Sequence, residues 1–409
     1  MNIAILGAGV GQIPLIQKAK SRGWRTVVVS PAGPYPGIKL ADTLLDADVR
    51  DASALVERLK DENISAIVTD QLDSAVETAA YISEQLHLKG ITSDVARRFK
   101  DKFHMLQCAQ QRGINVPDFA LTSNVSDALQ FAKKLGYPVI IKPHDSAASK
   151  GVYRVDSAHE LTERYEESRL FSSNQKVLIQ KYIEKETEYC VEAYTRNFQV
   201  RNIAIGKRDY FKSRTDFIPQ ATLLKSAQAE LDAFEEQVLE VNARLVEGLG
   251  LSFGITHGEF MVEQGTGKIY LVEIAARGGG VGISSELVPA CSGIDMVECL
   301  LDDVADTRQE LPTPQANAVA AYFCFMLKPG TITRIQGVEA IRQMPEVMGF
   351  VENFSIGNEI ARGHNKYARK GPIHVKGKDA RECYQALNKI KEKLIISMSG
   401  DNSNGVIWE

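Results

Sequence analysis

A β-hairpin is predicted by residues 257–277, which read HGEFMVEQGTGKIYLVEIAAR. Two runs of alternating apolar residues flank Glu263–Lys268, whose glycines are typical of a turn. Glu259 and Glu273 are equidistant from Thr266, so we expect them to be cross-strand neighbours with Cβ atoms about 5 Å apart. Two carboxylates this close repel each other unless a cation neutralises them, and Mg²⁺ typically takes one or two carboxylates together with substrate phosphates. The hairpin therefore predicts a divalent-metal site.

The residues after the second strand extend this site. Alternation along the strand puts Leu271, Ala275 and Arg277 on the face of Glu273, so a guanidinium suited to phosphate or an oxyanion lies beside the metal. Gly278–Gly280 follow directly and allow close backbone approach. The alternative interpretation is a solvated sheet face with a Glu–Arg pair. The opposite face is expected to pack a core of Phe260, Val262, Tyr270, Val272 and Ile274.

The first 90 residues alternate short apolar strands with helices, which predicts a parallel, doubly wound sheet. The glycine-rich turn Gly7–Gly11 could bind a dinucleotide, but Gln12 stands where that fingerprint needs a small residue, and Ser30 ends the strand where an acid would hold the ribose. A tight turn is the favoured interpretation, and an NAD-binding oxidoreductase is kept as an alternative. The predicted elements are strands Asn2–Leu6, Thr26–Val29 and Ala66–Thr69, and helices to about Arg22, over Val49–Lys60 and over Asp73–Gln85.

Further along the chain, one helix is predicted to carry Phe99, Phe103 and Leu106 on one face and to end at Gly113. The segment from Pro117 to about Ile183 is small enough to be a lid. The remaining predicted elements are helices Asp127–Leu135, Ala227–Leu249 and Asp379–Leu394, and strands Pro138–Lys142, Val177–Tyr182, Val191–Val200 and Ile203–Lys207.

Two lysines stand in positions suited to phosphate. Lys142 ends an apolar strand, and the loop Asp145–Gly151 that follows is rich in small residues whose N–H groups can cradle phosphates. Lys102 lies on the predicted helix face next to Phe99. Each lysine alone would more simply be a surface charge. The extended segment Gln180–Ile183, followed by Glu188, could hydrogen-bond a purine and a ribose.

Composition narrows the class of protein. A chain of 409 residues is too long for one ordinary core and suggests two or three domains. The net charge of −4, from 48 basic and 52 acidic residues, does not favour nucleic acid or an anionic membrane. Apolar runs are shorter than the roughly 20 residues that span a bilayer, so we expect a cytoplasmic protein. The six cysteines are scattered without a CxxC pair, which favours reduced core residues over zinc or disulfides.

Taken in order, these segments resemble the ATP-grasp superfamily, in particular its carboxylate–amine ligase branch, over essentially the whole chain. Asp101-Lys102 resembles the DK pair that opens the ATP-grasp region, and Pro138–Val152 resembles its strand and grasp loop. Gln180–Ile183 with Glu188 is similar to the adenine hinge and ribose carboxylate, and Gly258–Gly279 to the metal-and-phosphate hairpin.

The resemblance implies an α/β fold, in which an N-terminal doubly wound parallel sheet precedes an α+β ATP-grasp fold with a mobile lid. We expect a pre-ATP-grasp Rossmann-like domain over 1–96 and a linking helix over 97–116. The lid subdomain would then cover 117–185, and the C-terminal catalytic domain with its α+β tail 186–409.

The resemblance also implies ATP and Mg²⁺ or Mn²⁺ as cofactors, with Glu259 and Glu273 as metal ligands and Lys142 and Arg277 as catalytic residues. Nucleotide contacts are implied for Lys102, Lys142, Ser149, Gly151, Gln180, Lys181, Ile183 and Glu188. Substrate contacts are implied for Lys207, Asp216, Arg277, Gly278 and Gly279. The chain departs from common patterns of the superfamily at Gln180, which replaces Glu, at Ala275, which replaces Asn, and at Asp216, which differs from the Gly-His of some dipeptide-forming members.

The implied activity is an ATP-dependent ligase, which activates a carboxylate as an acyl phosphate, transfers the acyl group to an amine and releases ADP and phosphate. Its partners would be small-molecule carboxylates and amines, without nucleic acid or membrane, and a homodimer is allowed. The alternatives are an ATP-dependent carboxylating enzyme that uses bicarbonate and a nucleotide-binding regulator without turnover. Because the two glutamates would repel each other without metal, Glu273→Gln is expected to leave the ligand-free melting temperature unchanged or slightly raised.

Overall fold

The fold is known from a computed structural model that describes residues 1–146, 149–184, 186–212, 217–308, 310–361 and 368–408. It has the predicted α/β class, with a parallel sheet followed by antiparallel sheets. None of the helices in these ranges combines the length and the apolar character needed to cross a membrane. All six cysteines are buried and free, as predicted.

The N-terminal sheet is parallel throughout, in the strand order β3-β2-β1-β4. Strands β1, β2 and β4 are buried on both faces, which explains the continuous apolar run Thr26–Val29. Helix α1 packs on one face, and α2 and α3 pack on the other, so the predicted doubly wound arrangement is confirmed. Strand β3 was not predicted. The elements are β1 Asn2–Leu6, α1 Ile13–Ser21, β2 Arg25–Ser30, β3 Thr43–Asp46, α2 Ala52–Lys60, β4 Ala66–Val68 and α3 Asp73–Gln85.

The connection to the next sheet consists of two helices, α4 (Ser93–Lys100) and α5 (Lys102–Gln111), so the single predicted helix is wrong. The break lies at Asp101, which is extended and accepts hydrogen bonds from Phe103 N (3.0 Å) and His104 N (3.1 Å). A side-chain acceptor of this kind caps the start of a helix. The break makes Lys102 the first residue of α5 and directs its buried side chain toward the site described below.

A small antiparallel sheet, in the order β5-β8-β6-β7, forms the segment predicted as a lid and has its own core with two helices. Its elements are β5 Phe119–Thr122, α6 Val125–Leu135, β6 Val139–Pro143, β7 Tyr153–Val155, α7 Ala158–Leu170 and β8 Val177–Lys181.

The largest sheet is antiparallel and begins with the order β13-β12-β9-β10-β11-β14-β18-β16. β9 and β10 are longer than predicted, because the chain turns at Asn197 and Phe198, both at positive φ, and not near residue 201. Helix α8 begins at a capping box formed by Asp232 and Glu235. The elements are β9 Glu186–Arg196, β10 Gln199–Tyr210, β11 Pro219–Ser226, α8 Ala233–Leu249, β12 Phe253–Glu263 and β13 Ile269–Ala275.

The predicted hairpin is β12–β13, and Glu259 pairs with Glu273 as the symmetric spacing predicted. The next pair is Phe260 with Leu271, so a bulge leaves Val272 without a cross-strand partner. The bulge shifts the alternation by one residue. Leu271 therefore joins the core, whereas Val272 and Tyr270, which were predicted to be core residues, are only half-buried.

The C-terminal part completes the large sheet and adds a second small one, in the order β17-β15-β19-β20. The C-terminal part begins with a π-helical turn, Ile283–Leu287, which precedes its helices and strands. These are α9 Val288–Ser292, α10 Met296–Val304, β14 Val319–Leu327, β15 Gly330–Gln336, α11 Val338–Arg342, β16 Val347–Phe350, β17 Glu359–Ile360, β18 Lys370–Gly377, α12 Ala380–Lys393, β19 Ile395–Met398, β20 Asp401–Asn404 and β21 Val406–Ile407.

Candidate active site

A cavity of about 150 Å³ lies between the lid sheet and the hairpin β12–β13. It adjoins a cleft of about 1230 Å³ that reaches the N-terminal domain, and Asp73, His257 and Arg277 line both spaces. Residues that lie far apart in the sequence meet here. The predicted site residues that line the small cavity are Lys102, Lys142, Ser149, Gln180, Lys181, Ile183, Glu188, Glu259, Glu273 and Arg277.

One end of the small cavity is apolar. Its walls include Ile140, Val152, Met261 and Leu271, beside the segment that leaves β8 at Lys181. The Lys181 N–H donates to Asp118 O (2.9 Å), which fixes the end of β8 next to β5. Apolar walls of this kind suit a purine base, and the adenine contacts of this segment remain a prediction.

Lys142 is a buried cation at the other end. Its side chain is 7% exposed, and no hydrogen bond or ion pair to its ammonium forms within the described ranges. Burial lowers the pKa of Lys142 to about 8, and repulsion from Lys102 adds to this effect. An ammonium held in this way gains stability when an anion binds beside it.

Lys102 is partnered on two sides. Its Nζ lies 2.9 Å from Glu273 Oε1 and donates to the carbonyl oxygen of Ser146 (2.7 Å), at the start of the predicted phosphate loop. Its backbone N–H donates to His144 O (3.0 Å). Lys102 therefore connects Glu273, the predicted metal ligand, to the loop that the sequence predicts to hold phosphates.

The carboxylate pair is neutralised by protein cations. Glu273 has Lys102, and Glu259 Oε1 accepts from Arg208 Nη1 (2.6 Å) and lies 3.2 Å from His257 Nε2. The expectation of unrelieved repulsion between the glutamates is therefore wrong. A cation site still fits here, because two carboxylates from paired strands line one cavity and are hard oxygen donors. Within the described ranges no group of three or more His, Cys, Asp or Glu side chains could hold a metal alone, so further ligands would have to come from a phosphate substrate or water.

Arg208, on β10, was missed by the sequence analysis. Its Nη1 bonds both Glu188 and Glu259, and Nη2 lies 3.3 Å from His257 Nε2. Glu188 also accepts from the Tyr210 hydroxyl, so the predicted ribose carboxylate lines the cavity but is already held by two residues. Arg208 lies in an ordinary alternating strand, and no local pattern distinguishes it from a surface arginine.

The amides of the triglycine segment are not open for a substrate. Gly278 N donates to Asp70 Oδ1 (2.7 Å), and Gly279 N donates to Glu192 Oε2 (3.2 Å). The prediction that these N–H groups bind substrate is therefore wrong, because two buried carboxylates already accept from them. Glu192 also bonds His257 Nδ1. Burial alone would lower the pKa of His257, but the neighbouring Glu192 and Glu259 outweigh burial and raise it.

Arg277 lies at the junction of the cavity and the cleft, as predicted for a residue beside the metal site. Asp73 of α3 holds it in a bidentate ion pair, with Nε–Oδ1 2.8 Å and Nη2–Oδ2 2.9 Å. Its Nη1 donates to Gly278 O (2.9 Å). Burial alone would lower the pKa of Arg277, but Asp73 outweighs burial and raises it, so the guanidinium stays charged.

Two other predicted residues lie elsewhere, and a third is outside the described residues. Lys207 neighbours Arg208 in β10 and points to the opposite face, where its half-exposed side chain lies 3.0 Å from Asp232 Oδ2. Its predicted substrate contact is wrong for this reason. Gly151 is outside the cavity lining and is needed for its positive φ, and a Cβ there would lie 2.9 Å from Phe171 Cδ2. Asp216 lies outside the described residues.

The N-terminal glycine turn Gly7–Gly11 is closed by the side chain of Gln12, the residue that follows it. Gly9 N donates to Gln12 Oε1 (3.0 Å), and Gln12 Nε2 donates to Asp70 O (2.6 Å). The Gln12 side chain thus takes up an amide that a bound pyrophosphate would need. These contacts support a tight structural turn over the NAD-binding alternative.

Two known protein families match successive segments of the chain. The family described as "Carbamoyl-phosphate synthase L chain, ATP binding domain" matches residues 99–306, and "L-amino acid ligase C-terminal domain 2" matches residues 322–399. The L-arginine-specific L-amino acid ligase of Bacillus subtilis is 22% identical over 369 residues, covering 89% of this chain and 87% of that protein. Urea amidolyase of Lachancea kluyveri is 21% identical over 88% of this chain, which spans only 20% of the relative's length.

The fold is shared with the crystal structure of an L-amino acid ligase from Bacillus licheniformis. The two chains superpose with a TM-score of 0.82 at 21% identity, over 98% of this chain and 99% of that one. At this identity the likeness concerns the fold. The family match, by contrast, spans more than half of the sequence and contains both lysines, both carboxylates of the predicted metal site and Arg277. The chain therefore belongs to the carbamoyl-phosphate synthase L chain ATP-binding domain family, within the ATP-grasp superfamily that its sequence resembles.

Proposed function

We propose that the chain is an ATP-dependent carboxylate–amine ligase, which forms an amide or peptide bond through an acyl phosphate and releases ADP and phosphate. The observation that carries the proposal is Lys142, a buried ammonium without a partner in the described ranges, in a cavity that also holds the carboxylates of Glu259 and Glu273. A cation buried alone is costly, and an anion beside it compensates that cost. A nucleoside triphosphate would place its phosphates beside the ammonium, and its metal ion would lie beside the carboxylates.

Residues of different chemistry would contact the different parts of the nucleotide. The apolar end would take adenine, Lys102 and Lys142 would hold phosphate oxygens, and Glu259 with Glu273 would hold Mg²⁺ or Mn²⁺. A bound metal ion would neutralise phosphate charge and favour attack on the terminal phosphorus. Lys102 would have to exchange its contact with Glu273 for phosphate as the metal binds.

The proposed reaction has two steps, formation of the acyl phosphate and transfer of the acyl group to the amine. An oxygen of the substrate carboxylate attacks the γ-phosphorus, a P–O bond to ADP breaks, and an acyl phosphate forms. The amine nitrogen next attacks the carbonyl carbon, phosphate leaves, and the amine loses a proton. Arg277 lines both the nucleotide cavity and the large cleft, so its charge can stabilise oxygens that become negative in both steps.

The large cleft supports an amine as the acceptor. Its volume of about 1230 Å³ is enough for two small molecules beside the nucleotide cavity. The match of residues 322–399 to the C-terminal domain of L-amino acid ligases points the same way. The cleft carries basic and acidic side chains, which suits substrates with both a carboxylate and an amine, such as amino acids.

The test is a screen of amino acids and small carboxylates, singly and in pairs, with Mg-ATP, measuring ADP, phosphate, AMP and pyrophosphate. We expect ADP and phosphate in equal amounts, released only when both an acid and an amine are present, and an amide product by mass spectrometry. Glu273→Gln should be inactive, which excludes a contaminating ATPase. AMP and pyrophosphate would contradict the acyl phosphate, and a requirement for bicarbonate would identify the carboxylating alternative. A homodimer and a cytoplasmic location remain predictions, to be tested by sedimentation and by imaging of a tagged chain.

A further inference from the structure

The turn between β4 and α3 of the N-terminal domain contacts the end of the catalytic hairpin. Its residues Asp70 and Asp73 lie about 200 positions from their partners in the sequence, Gly278 and Arg277. The hydrogen bonds from these two residues act on the segment that carries Arg277.

Asp73 fixes the direction of the Arg277 side chain. Two parallel hydrogen bonds, of 2.8 and 2.9 Å, join one edge of the guanidinium to both carboxylate oxygens. A bidentate pair of this kind sets the plane and the rotation of the guanidinium, which a single contact does not. Burial alone would raise the pKa of Asp73, but attraction to Arg277 outweighs burial and lowers it, so the carboxylate is ionised at neutral pH.

Asp70 fixes the backbone that follows. It accepts from Gly278 N (2.7 Å) and from the Ser284 hydroxyl (3.2 Å), and it is 1% exposed. A Cβ at Gly278 would lie 2.4 Å from Ser284 and 2.8 Å from Asp70 Oδ1, so only glycine fits between them. The main chain and the side chain at 277–278 are thus both held by one turn of the other domain.

The glycine-rich turn near the N-terminus supports this arrangement. Gln12 Nε2 donates to Asp70 O (2.6 Å), and Gln71 Nε2 donates to Gly11 O (3.2 Å). Gln71 has a φ of 57°, which few side chains adopt without outside support. The Gly7–Gly11 turn and Gln12 are therefore hydrogen-bonded to the Asp70–Asp73 turn.

We infer that Asp73 is a positioning residue for Arg277 in the transfer reaction, and that the Gly7–Gly11 turn of the N-terminal domain holds the Asp70–Asp73 turn in place for this role. The inference rests on the proposed function, since it assigns Asp73 to the chemical steps and not to nucleotide binding. It gives the glycine turn a purpose that needs no dinucleotide.

Asp73→Asn tests the inference, because the variant keeps the shape of the side chain and loses one acceptor and the charge. We expect kcat for ADP release to fall about 10- to 100-fold, while KM for ATP and the Mg-ATP thermal shift stay within about threefold of the wild type. In an Arg277→Lys background the same change should add less than about threefold, since the bidentate pair is already lost. Glu57→Gln is the control, because Glu57 is an exposed residue of α2 that lines neither the cavity nor the cleft.

A second measurement is independent of activity. Hydrogen exchange of the Arg277 Nε–H, followed by NMR, should be at least about tenfold faster in Asp73→Asn than in the wild type and unchanged in Glu57→Gln. If Asp73→Asn folds poorly, Asp73→Glu should keep slow exchange and part of the activity. Equal exchange in the wild type and in Asp73→Asn would overturn the inference, as would an unchanged kcat or an effect confined to KM for the acid or the amine. A wild type that shows slow exchange but never releases ADP would instead refute the proposed function.

Discussion

Lys142→Met removes a buried ammonium and replaces it with an apolar side chain of nearly the same volume. The ammonium has no partner in the described ranges, and burial lowers its pKa from the ordinary 10.5 to about 8. A difference of this size corresponds to about 3 kcal/mol of unfavourable free energy in the folded state at neutral pH. We therefore expect the ligand-free variant to be more stable than the wild type at pH 7, by up to about this amount.

The sign of the pH dependence follows from the same pKa values. Below about pH 8 the lysine is charged in the folded and in the unfolded protein, so the wild type carries the full penalty. Between about 8 and 10.5 the folded protein has lost the proton and the unfolded chain still binds it, so wild-type stability rises with pH. The stability gap between Lys142→Met and the wild type should be largest below pH 8 and close as the pH approaches 10.5.

Thermal denaturation from pH 6.5 to 10.5, with and without Mg-ATP, measures both parts of this prediction. Mg-ATP should stabilise the wild type by about 2.7 kcal/mol at a concentration 100 times its Kd, and should have little effect on Lys142→Met. Lys134→Met, at an exposed position of α6 in the same subdomain, is the control and should change neither result. A Lys142→Met protein that is less stable than the wild type at every pH would refute the reasoning, because Lys142 would then have partners that outweigh its burial.

Three further predictions follow from contacts near the site. Glu273→Gln should lose ADP release and the Mg-ATP thermal shift, and its ligand-free melting temperature should be equal or lower, not raised, because buried Lys102 loses its ionic partner at 2.9 Å. The sheet β5–β8 should move as a lid and close on Mg-ATP, so backbone hydrogen exchange in the Asp145–Gly151 region should slow when the nucleotide is added. His144→Gln should destabilise the protein more at pH 5.5 than at pH 8.5, because Asp101, whose Oδ1 lies 3.4 Å from Nδ1, raises the pKa of His144. This stabilisation is lost as the pH rises through the raised pKa.

The Glu273 and His144 predictions each have a control variant, and all three predictions have a result that would contradict them. Glu263→Gln, at the turn end of the same hairpin, should keep activity, and a full Mg-ATP thermal shift in Glu273→Gln would remove Glu273 from the metal site. Equal exchange of the lid with and without nucleotide would count against closure. The control for His144→Gln is His159→Gln, at an exposed position of α7. If the destabilisation by His144→Gln does not vary with pH, the charge of His144 has no part in it.

Local sequence was sufficient for the elements that carry the site. The continuous apolar run of β2 can only be buried on both faces, which predicts a parallel sheet between helices. The equal spacing of Glu259 and Glu273 from the turn set their pairing, because hairpin register follows from the turn. Asp101 carried a local signal for a helix start, but the apolar spacing across it favoured one continuous helix.

Tertiary contacts decided the state of the charged groups. Sequence spacing predicted that the two glutamates face each other, but their neutralisation depends on Lys102 and Arg208, which come from other elements. The Gly278 amide and Arg277 are held by the distant turn Asp70–Asp73, and the Gly279 amide is held by Glu192 of β9. Periodicity tells which face a side chain occupies, whereas its ionic partner depends on which distant segments fold against that face. The sequence therefore determined the hairpin and the pairing of the two carboxylates of the predicted metal site, and only the packing of the β4–α3 turn against the hairpin end determined what holds Arg277.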